Sequence, residues 1–267
     1  MGGNAAGWLM GGVYNCAMPP TLPLSGVVIT KNEADRIARC VGSMLGMCQE
    51  VIVLDSGSSD GTVAIARGLG CRVEHLHWQG FAAQKNAVIA LASQPWVLLL
   101  DADEWLGLAA QADVRALFAG AIEQSDVWLL LRRTHFLGQA MRAGSFAREP
   151  VHRLFRAHLR HGARQVHEHL DVGDSVVRAS SIVLEHDTAR SAAEYRQKLA
   201  GYAQLWADEQ RGQGRIAHPG RGLLAALAYL LKNLVLRGGV IDGPRGWRFH
   251  WLHARYVYDK YRLLRSG

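Results

Sequence analysis

The sequence predicts an α/β fold, in which a mostly parallel, Rossmann-like sheet is flanked by helices and followed by a C-terminal helical appendage. Between residues 26 and 118, short apolar runs alternate with helical patterns, an order that favours parallel strands joined by helices. Two of the apolar runs end in aspartate, and the carboxyl ends of parallel strands are where such sheets bind ligands. After residue 191, the patterns are helical.

Length and charge limit the classes of protein that fit. With 267 residues, 49% of them hydrophobic, the chain can form one large domain with a substantial core. Residues 1–120 carry 7 basic and 10 acidic side chains, a net charge of −3, whereas residues 121–267 carry 23 and 13, a net charge of +10. The basic half is expected to meet something anionic. The four cysteines lack metal-ligand spacing and indicate a reducing, cytosolic compartment.

The elements follow one another as strand and helix. Strands are expected at residues 26–30, 51–55, 71–75, 96–100 and 127–132, and helices at residues 33–45, 62–69, 80–91 and 108–118. Met1 to Pro20 has neither a charged n-region nor a continuous apolar stretch, so it is a poor signal peptide. We expect residues 1–22 to be a disordered extension instead. We expect one domain over residues 23–190 and a helical region over residues 191–267.

The apolar run that begins at Trp96 ends in two carboxylates, Asp101 and Asp103. Residues i and i+2 of a strand point to one face, so both carboxylates can converge on one hard cation beyond the strand. Any buried strand can end in acidic residues before a loop. The pair by itself therefore indicates a metal site only weakly.

A second apolar run ends at Asp55 and enters a turn of small residues that contains Gly57 and Gly61. An acid at this edge can accept hydrogen bonds from a ribose or a base, whereas acids that hold a metal can neutralise a diphosphate. The two strand ends together indicate a site for a nucleoside diphosphate.

Four short motifs follow one another along the chain, at residues 26–33, 53–62, 81–86 and 100–104. With these motifs the chain resembles the family 2 glycosyltransferases of GT-A fold. It is most similar to the branch that contains the lipopolysaccharide core β-glucosyltransferases acting on heptose. The resemblance covers about residues 24 to 265.

The resemblance implies which residues serve the nucleotide-sugar donor. It assigns donor contacts to Thr30, Glu33, Asp55, Gln84, Lys85, Asn86 and Asp101. It also implies that Asp103, with or without Asp101, holds Mg²⁺ or Mn²⁺ on the donor diphosphate. A further ligand stays open between histidines such as His169 and His186. An ordinary solvated helix position is the alternative for Lys85.

Glu168 lies between two histidines, His167 and His169, in a short strand-like segment. Alternation would put the histidines on one face and Glu168 on the other. The family carries a Val-His-Glu triplet here, and an inverting transferase needs a carboxylate to deprotonate the acceptor hydroxyl. The resemblance therefore makes Glu168 the candidate general base. A structural salt bridge to Arg153 or Arg164 is the alternative role.

The C-terminal region combines apolar and basic sequence. The run from Leu223 to Leu236 is interrupted by Lys232 too early for the ~20 apolar residues that a bilayer span requires. Arginines and aromatic residues surround it, the mixture expected where a protein rests on an anionic membrane surface. Packing of these helices on the preceding domain is the alternative, and both can hold. We expect a cytoplasmic protein, peripheral at the inner face of the cytoplasmic membrane.

The sequence thus predicts a metal-dependent inverting glycosyltransferase. Its expected donor is UDP-glucose or a similar nucleotide-sugar, and its expected acceptor is a lipopolysaccharide core or a related anionic glycolipid. Two alternatives stay open: transfer to a polyprenyl phosphate, and a noncatalytic scaffold that binds sugar nucleotides or glycolipids. The intact Asp101 and Asp103 argue against the scaffold. Nucleic acid is not an expected partner, because the sequence has no recognised nucleic-acid motif.

Overall fold

The computed structural model describes residues 20–144, 146–162 and 169–266 and confirms the α/β class with C-terminal helices. The strands are β1 Leu22–Thr30, β2 Cys48–Asp55, β3 Arg72–His75, β4 Trp96–Asp101, β5 Glu104–Leu106, β6 Val127–Phe136, β7 Gln139–Ala140, β8 Glu149–Arg156, β9 Arg160–His161, β10 Leu170–Asp171 and β11 Val177–Asp187. The α-helices are α1 Ile37–Gly42, α2 Thr62–Gly68, α3 Phe81–Ala90, α4 Leu108–Gly120, α5 Ala192–Gly212, α6 Arg221–Leu230 and α7 Gly243–Ser266.

One large sheet organises the described residues, with the strand order β3-β2-β1-β4-β8-β6-β11-β5. The first four strands are parallel, as the alternation of strand and helix predicts. The second half is mixed, because β8 runs antiparallel to both β4 and β6, whereas β11 runs parallel to β6. β7 pairs with β6, and β9 and β10 form a separate antiparallel pair.

Both faces of the parallel half are covered, which explains why its strands are apolar throughout. Val28 and Leu100 lie in the core beneath α1 and α4, together with Ile37. On the other face, Val27 and Leu99 pack against α3. Successive residues of a strand thus enter different cores.

The first helix is shorter than the pattern predicts, and tertiary contacts explain the difference. α1 begins at Ile37. Before it, the backbone N–H of Glu33 donates to Thr62 Oγ1 at 2.8 Å, and that of Ala34 donates to Asp60 Oδ2 at 3.2 Å. These side chains on the next turn hold residues 33–34 in a non-helical turn.

The strand expected at residues 127–132 is longer in the structure, since β6 continues to Phe136. Its last residue packs with Tyr195 of α5 and Phe249 of α7 in a separate aromatic core. The Tyr195 hydroxyl also contacts His253 Nε2 at 2.5 Å. The helical region is therefore docked onto the sheet.

The C-terminal helical region is bent. α6 passes into a π-helical segment, Leu231–Leu236, and the axis then turns by 81° before the segment Gly239–Ser266. Within the described chain, no single helix has the length and apolarity to cross a bilayer. Among the described residues, the segments Arg221–Leu236 and Gly239–Ser266 meet the length and composition test only when they are taken together.

Candidate active site

The carboxyl ends of β1, β2 and β4 bring three of the predicted residues to one edge of the sheet. Thr30 is in register with Asp55 of β2, and Ile29 is in register with Asp101 of β4. Thr30, Asp55 and Asp101 therefore lie on neighbouring strands, as the sequence motifs predict.

Two turns at this edge are bonded to each other through side chains. The Asp55 carboxylate is buried and accepts the backbone N–H groups of Gly57 and Ser58, both at 2.9 Å. Asn32 adopts a left-handed backbone conformation, with φ at 56°, and its Oδ1 accepts the Ser59 N–H at 2.8 Å. The turn after β1 and the turn after β2 therefore form one rigid rim.

Two buried polar groups near this rim lack partners among the described residues. Thr30 is 6% exposed, and its hydroxyl has no hydrogen-bond partner there. Gln84 is fully buried and donates to the carbonyl oxygens of Leu76 and His77 at 3.1 and 2.8 Å, but its Oε1 accepts no bond. An unsatisfied buried group costs about 1–3 kcal/mol, so such groups mark places where a ligand or water completes the bonding.

Asp101 belongs to a buried cluster of opposite charges. Arg153 of β8 donates to Asp101 Oδ2 and to Glu104 Oε1, the latter at 2.7 Å, and Lys85 Nζ lies 3.6 Å from Asp101 Oδ1. Arg132 of β6 reaches Glu104 at 3.4 Å. Burial opposes ionisation of Asp101, but Arg153 and Lys85 outweigh it and hold its pKa well below the ordinary range. The basic neighbours of Asp101 therefore stabilise its ionised form.

Asp103 has different surroundings, although it is only two residues away. It lies in the turn between β4 and β5, and its Oδ2 is 3.3 Å from His186 Nε2 at the end of β11. Burial opposes ionisation, and His186, with Lys198 further off, lowers the pKa of Asp103 below its usual value. His186 Nδ1 is buried without a hydrogen-bond partner among the described residues. Of the two histidines left open by the sequence, the structure thus brings His186 beside Asp103.

The metal-ligand expectation is met only in part by this geometry. Within residues 20–144, 146–162 and 169–266, no group of three or more His, Cys, Asp or Glu side chains is arranged to hold a metal ion. Asp103 and His186 offer one carboxylate and one imidazole, which are ligand types that Mn²⁺ and Mg²⁺ sites use alongside water and phosphate oxygens. Asp101 lies in the arginine cluster instead. The residues therefore fit a metal that takes its remaining ligands from a bound diphosphate.

The remaining donor candidates on α3 have distinct surroundings. Lys85 is buried beside Asp101, so the solvated-helix alternative for it is wrong. Asn86 instead ties α3 to β9, because its Nδ2 donates to the His161 carbonyl at 2.9 Å and its Oδ1 accepts the His161 N–H at 2.7 Å. In this structure its amide is thus used within the protein.

Ion pairs between the two halves of the chain account for part of their uneven charge, which composition alone could not reveal. Arg132, Arg153 and Arg190 come from the basic half. They bind carboxylates of the acidic half, namely Glu33, Asp35, Asp101 and Glu104. Part of the excess positive charge therefore neutralises the protein's own acidic edge rather than an external anion.

Glu168 lies outside the described residues, so its role as general base stays a prediction. Its suggested ion-pair partner Arg153 is already bonded to Asp101 and Glu104. Two other carboxylates near the edge are also engaged: Glu104 is fully buried, and Glu149 accepts from Arg132 at 2.6 Å. Neither is placed to act as a free base.

Sequence reasoning missed Arg153, the centre of the buried cluster, and the contribution of α5. From the sequence, Arg153 is named only as an alternative partner of Glu168, and residues 149–156 show no regular alternation that would mark its buried position. Lys198 and Tyr202 of α5 line a cavity together with Asp103. Their sequence separation from Asp103 leaves no local pattern that could reveal this.

The chain resembles known proteins in two respects. Residues 25–108, roughly a third of the chain, match the family model described as glycosyl transferase family 2. Across most of its length the chain is 29% identical to the lipopolysaccharide core biosynthesis glycosyltransferase LpsC of Rhizobium meliloti, over 260 residues that span 92% of this chain and 96% of the relative. The resemblance predicted from the motifs is thereby confirmed.

Two further comparisons are more limited. An uncharacterized glycosyltransferase of Rickettsia felis is 45% identical over 96 residues, 36% of this chain and 34% of that protein. The crystal structure of S. aureus TarS 1-349 in complex with UDP-GlcNAc is 14% identical, with 90% of each chain covered and a TM-score of 0.44. At that TM-score the structural likeness carries no argument about function.

Replacing Arg153 with methionine tests the buried charge cluster. We expect a loss of about 3–5 kcal/mol in the free energy of unfolding, because the fully buried Glu104 and the partly buried Asp101 lose a shared cation. Denaturant titration at neutral pH measures it. The exposed Arg72, paired with Glu74, is the matched control, and its replacement with alanine should cost less than about 1 kcal/mol.

The same variant should respond to pH in a defined direction. A lowered pKa of Asp101 stabilises the native protein above the unfolded carboxyl pKa of about 3.9, and that stabilisation is lost as the pH falls below it. The difference between the wild type and Arg153→Met should therefore shrink in acid. A difference that stays constant as the carboxyls protonate would contradict the charge-cluster account.

Proposed function

Residues 25–108 form a glycosyl transferase family 2 domain, and from this premise we propose that the whole chain is an inverting glycosyltransferase. Its donor is a nucleotide-sugar, UDP-glucose or a similar compound, and its acceptor is a lipopolysaccharide core or a related glycolipid. The observation that carries the proposal is the pair Asp101, which ends β4, and Asp103, which follows in the next turn, at the same carboxyl edge of the sheet as Asp55. The relationship to LpsC supports the acceptor class.

The donor nucleotide is proposed to lie along the rim formed by the turns after β1 and β2. Asp55 is fixed there by two backbone N–H groups, and the unsatisfied hydroxyl of Thr30 is its neighbour in the sheet. Lys85 adds a positive charge between this rim and the metal motif. These groups suit a nucleoside at one end and a diphosphate at the other.

Mg²⁺ or Mn²⁺ is the proposed cofactor, held by Asp103 and His186. Such an ion would neutralise the charge that develops on the diphosphate leaving group. Asp101 has a different role. Through Arg153 and Glu104 it joins β4, β5 and β8, and so it fixes the turn that carries Asp103. Asp101 thereby holds the turn in place, and Asp103 on that turn is left to bind the ion.

Glu168 is proposed to take the proton from the acceptor hydroxyl as that oxygen attacks the anomeric carbon. Attack from the face opposite the leaving diphosphate inverts the configuration, and no covalent sugar intermediate is needed. The engagement of Glu104 and Glu149 with arginines favours Glu168 over these two carboxylates.

The C-terminal helices are proposed to rest on an anionic membrane at the cytoplasmic face. Leu224, Leu227, Leu231 and Val235 follow helical spacing, and all are 54–69% exposed. Trp251 of α7 is 66% exposed, and the exposed side chains of Arg245 and Arg248 lie on the same helix. Apolar side chains flanked by arginines suit a surface of anionic lipid.

A screen of nucleotide-sugars tests the proposed donor class. In the presence of Mn²⁺ or Mg²⁺, one of them should raise the melting temperature of the purified protein, because a ligand that binds only the native state stabilises it. Addition of a chelator should remove the effect. A protein that no nucleotide-sugar stabilises would contradict the proposal.

Asp103→Asn should abolish transfer and the metal-dependent stabilisation by the donor, because an amide is a neutral and weaker ligand. The fold should persist, since the side chain makes one ion pair at the edge of the sheet. Asp113→Asn on the exposed side of α4 is the matched control and should behave as wild type. Normal turnover in Asp103→Asn would remove this residue from the metal site.

Glu168→Gln should separate catalysis from donor binding. A general base contributes about 10²- to 10⁴-fold to the rate, so turnover should fall by that order. Donor affinity, measured by the same thermal shift, should stay nearly unchanged. Loss of donor binding or of the fold in this variant would instead favour a structural salt bridge.

Membrane contact is tested with vesicles that contain anionic lipid. The wild type should co-sediment with them at low salt and less so at high salt. The double variant Leu231→Glu and Trp251→Glu should bind about tenfold or more weakly, because each buried apolar side chain contributes about 1.5–3 kcal/mol. Leu108→Glu, which alters an exposed leucine of α4, is the control. Equal sedimentation of all three proteins would leave these helices with a packing role only.

A further inference from the structure

A cavity of about 480 Å³ opens beside Asp103; it shares Glu33 of the turn after β1 with the rim, but Asp55 and the turn after β2 do not line it. Its walls come from the turn after β1, from Asp103 and from one face of α5. The lining residues are Glu33, Arg36, Asp103, Thr188, Glu194, Gln197, Lys198, Gly201, Tyr202 and Leu205. Six of these ten residues belong to α5, a helix that lies outside the family 2 segment.

The residues of α5 that face the cavity share one side of the helix. Lys198, Gly201, Tyr202 and Leu205 follow the spacing i, i+3, i+4 and i+7. The core of the protein is packed by a neighbouring stripe that includes Leu199. Because Leu199 and the other core residues lie on a different stripe of α5, the side of the helix that faces the cavity is available for a ligand.

The chemistry of this lining suits a sugar ring. Sugar hydroxyls both donate and accept hydrogen bonds, and the walls offer carboxylates, an amide, hydroxyls and cations. Tyr202 is 40% exposed and presents an aromatic ring on which the apolar face of a pyranose can pack. A Cβ at Gly201 would meet no atom within 4 Å, so the space in front of the helix is open.

A buried cation in the wall points to a ligand independently. Arg36 is 4% exposed, and its Nε and Nη2 have no hydrogen-bond partner among the described residues. Its nearest charges are Glu33 at 3.5 Å and Asp187 at 3.6 Å, both beyond good hydrogen-bond length. A buried guanidinium with two unsatisfied donors is costly, and an anionic group of a ligand in the cavity would offset part of the charge that Arg36 brings to this wall.

The two walls are held together by Arg190. Its guanidinium contacts Glu33 at 2.6 Å and Asp35 at 2.7 Å on the turn after β1, and Glu194 at 3.0 Å on α5. The cavity therefore has a fixed width next to Asp103. Pre-formed walls reduce the entropic cost of binding a rigid ring.

We propose that this cavity binds the sugar of the acceptor, with Tyr202 packing on the ring and Lys198 and Gln197 bonding its hydroxyls or an anionic substituent. The proposal rests on the proposed transferase function and names the substrate of the same site. The acceptor, rather than the donor sugar, is inferred because six of the ten lining residues belong to α5, whereas Thr30, Asp55 and Lys85, which are proposed to serve the donor, do not line the cavity. An acceptor hydroxyl in the cavity would then meet a donor held at Asp103.

The test uses the full-length protein with a nucleotide-sugar, Mn²⁺ and a deacylated lipopolysaccharide core oligosaccharide that carries heptose. Gly201→Leu places a side chain in the cavity, and Gly212→Leu adds the same side chain to the open end of the same helix. Both replacements raise helix propensity, so neither should weaken α5. Tyr202→Ala removes the proposed packing surface without adding bulk.

For Gly201→Leu and Tyr202→Ala we expect the KM for the oligosaccharide to rise about tenfold or more, a change that corresponds to one lost ring contact. Thermal stabilisation by donor and Mn²⁺, and slow hydrolysis of the donor by water, should stay within about twofold of wild type. Gly212→Leu should match wild type in all three measurements.

The outcomes separate the two hypotheses. Unchanged oligosaccharide KM in both cavity variants, with an active wild type, overturns the acceptor site and leaves the transferase function standing. Loss of donor stabilisation or donor hydrolysis in the cavity variants overturns it as well, because the cavity would then hold the donor sugar. If the wild type neither binds nor transfers from any nucleotide-sugar, the proposed function itself fails.

Discussion

The shared bonding of Arg153 to Asp101 and Glu104 is the interaction on which the arrangement of the site depends. Arg153 and Glu104 are buried and Asp101 is partly buried, so each incurs a desolvation cost that close opposite charges offset. The bonds join β4 and β5 to β8, which is distant from both in sequence. Because an unpaired buried charge is so unfavourable, the three elements have little freedom to move apart.

This constraint gives the two acids of one short motif different properties. Asp101 ends β4 between two cations, whereas Asp103 follows in a turn beside a histidine. A metal ion competes poorly for a carboxylate that a buried arginine already neutralises. Among the described residues, Asp103 is paired with His186 rather than with an arginine, which is why we propose it as the metal ligand.

Charge also links the two halves of the chain. Arg190 joins the turn after β1 to the start of α5, and Arg153 and Arg132 reach into the carboxylates beside β4. Carboxylates of the acidic amino-terminal half are therefore paired with arginines of the basic half. This coupling places α5 against Asp103, so the cavity that we assign to the acceptor forms from both halves at once.

The sequence by itself determined the α/β class, the parallel strands and the gathering of Thr30, Asp55 and Asp101 at one edge. These features follow from local periodicity and from the geometry of parallel strands, which any reader of the chain can apply. Tertiary structure alone decided that Arg153 neutralises Asp101, that His186 stands beside Asp103 and that α5 lines the adjoining cavity. Each of these contacts joins residues at least 52 positions apart, as Arg153 and Asp101 are, and no local pattern encodes such a distance. Only the folded chain brings these charges within reach of one another.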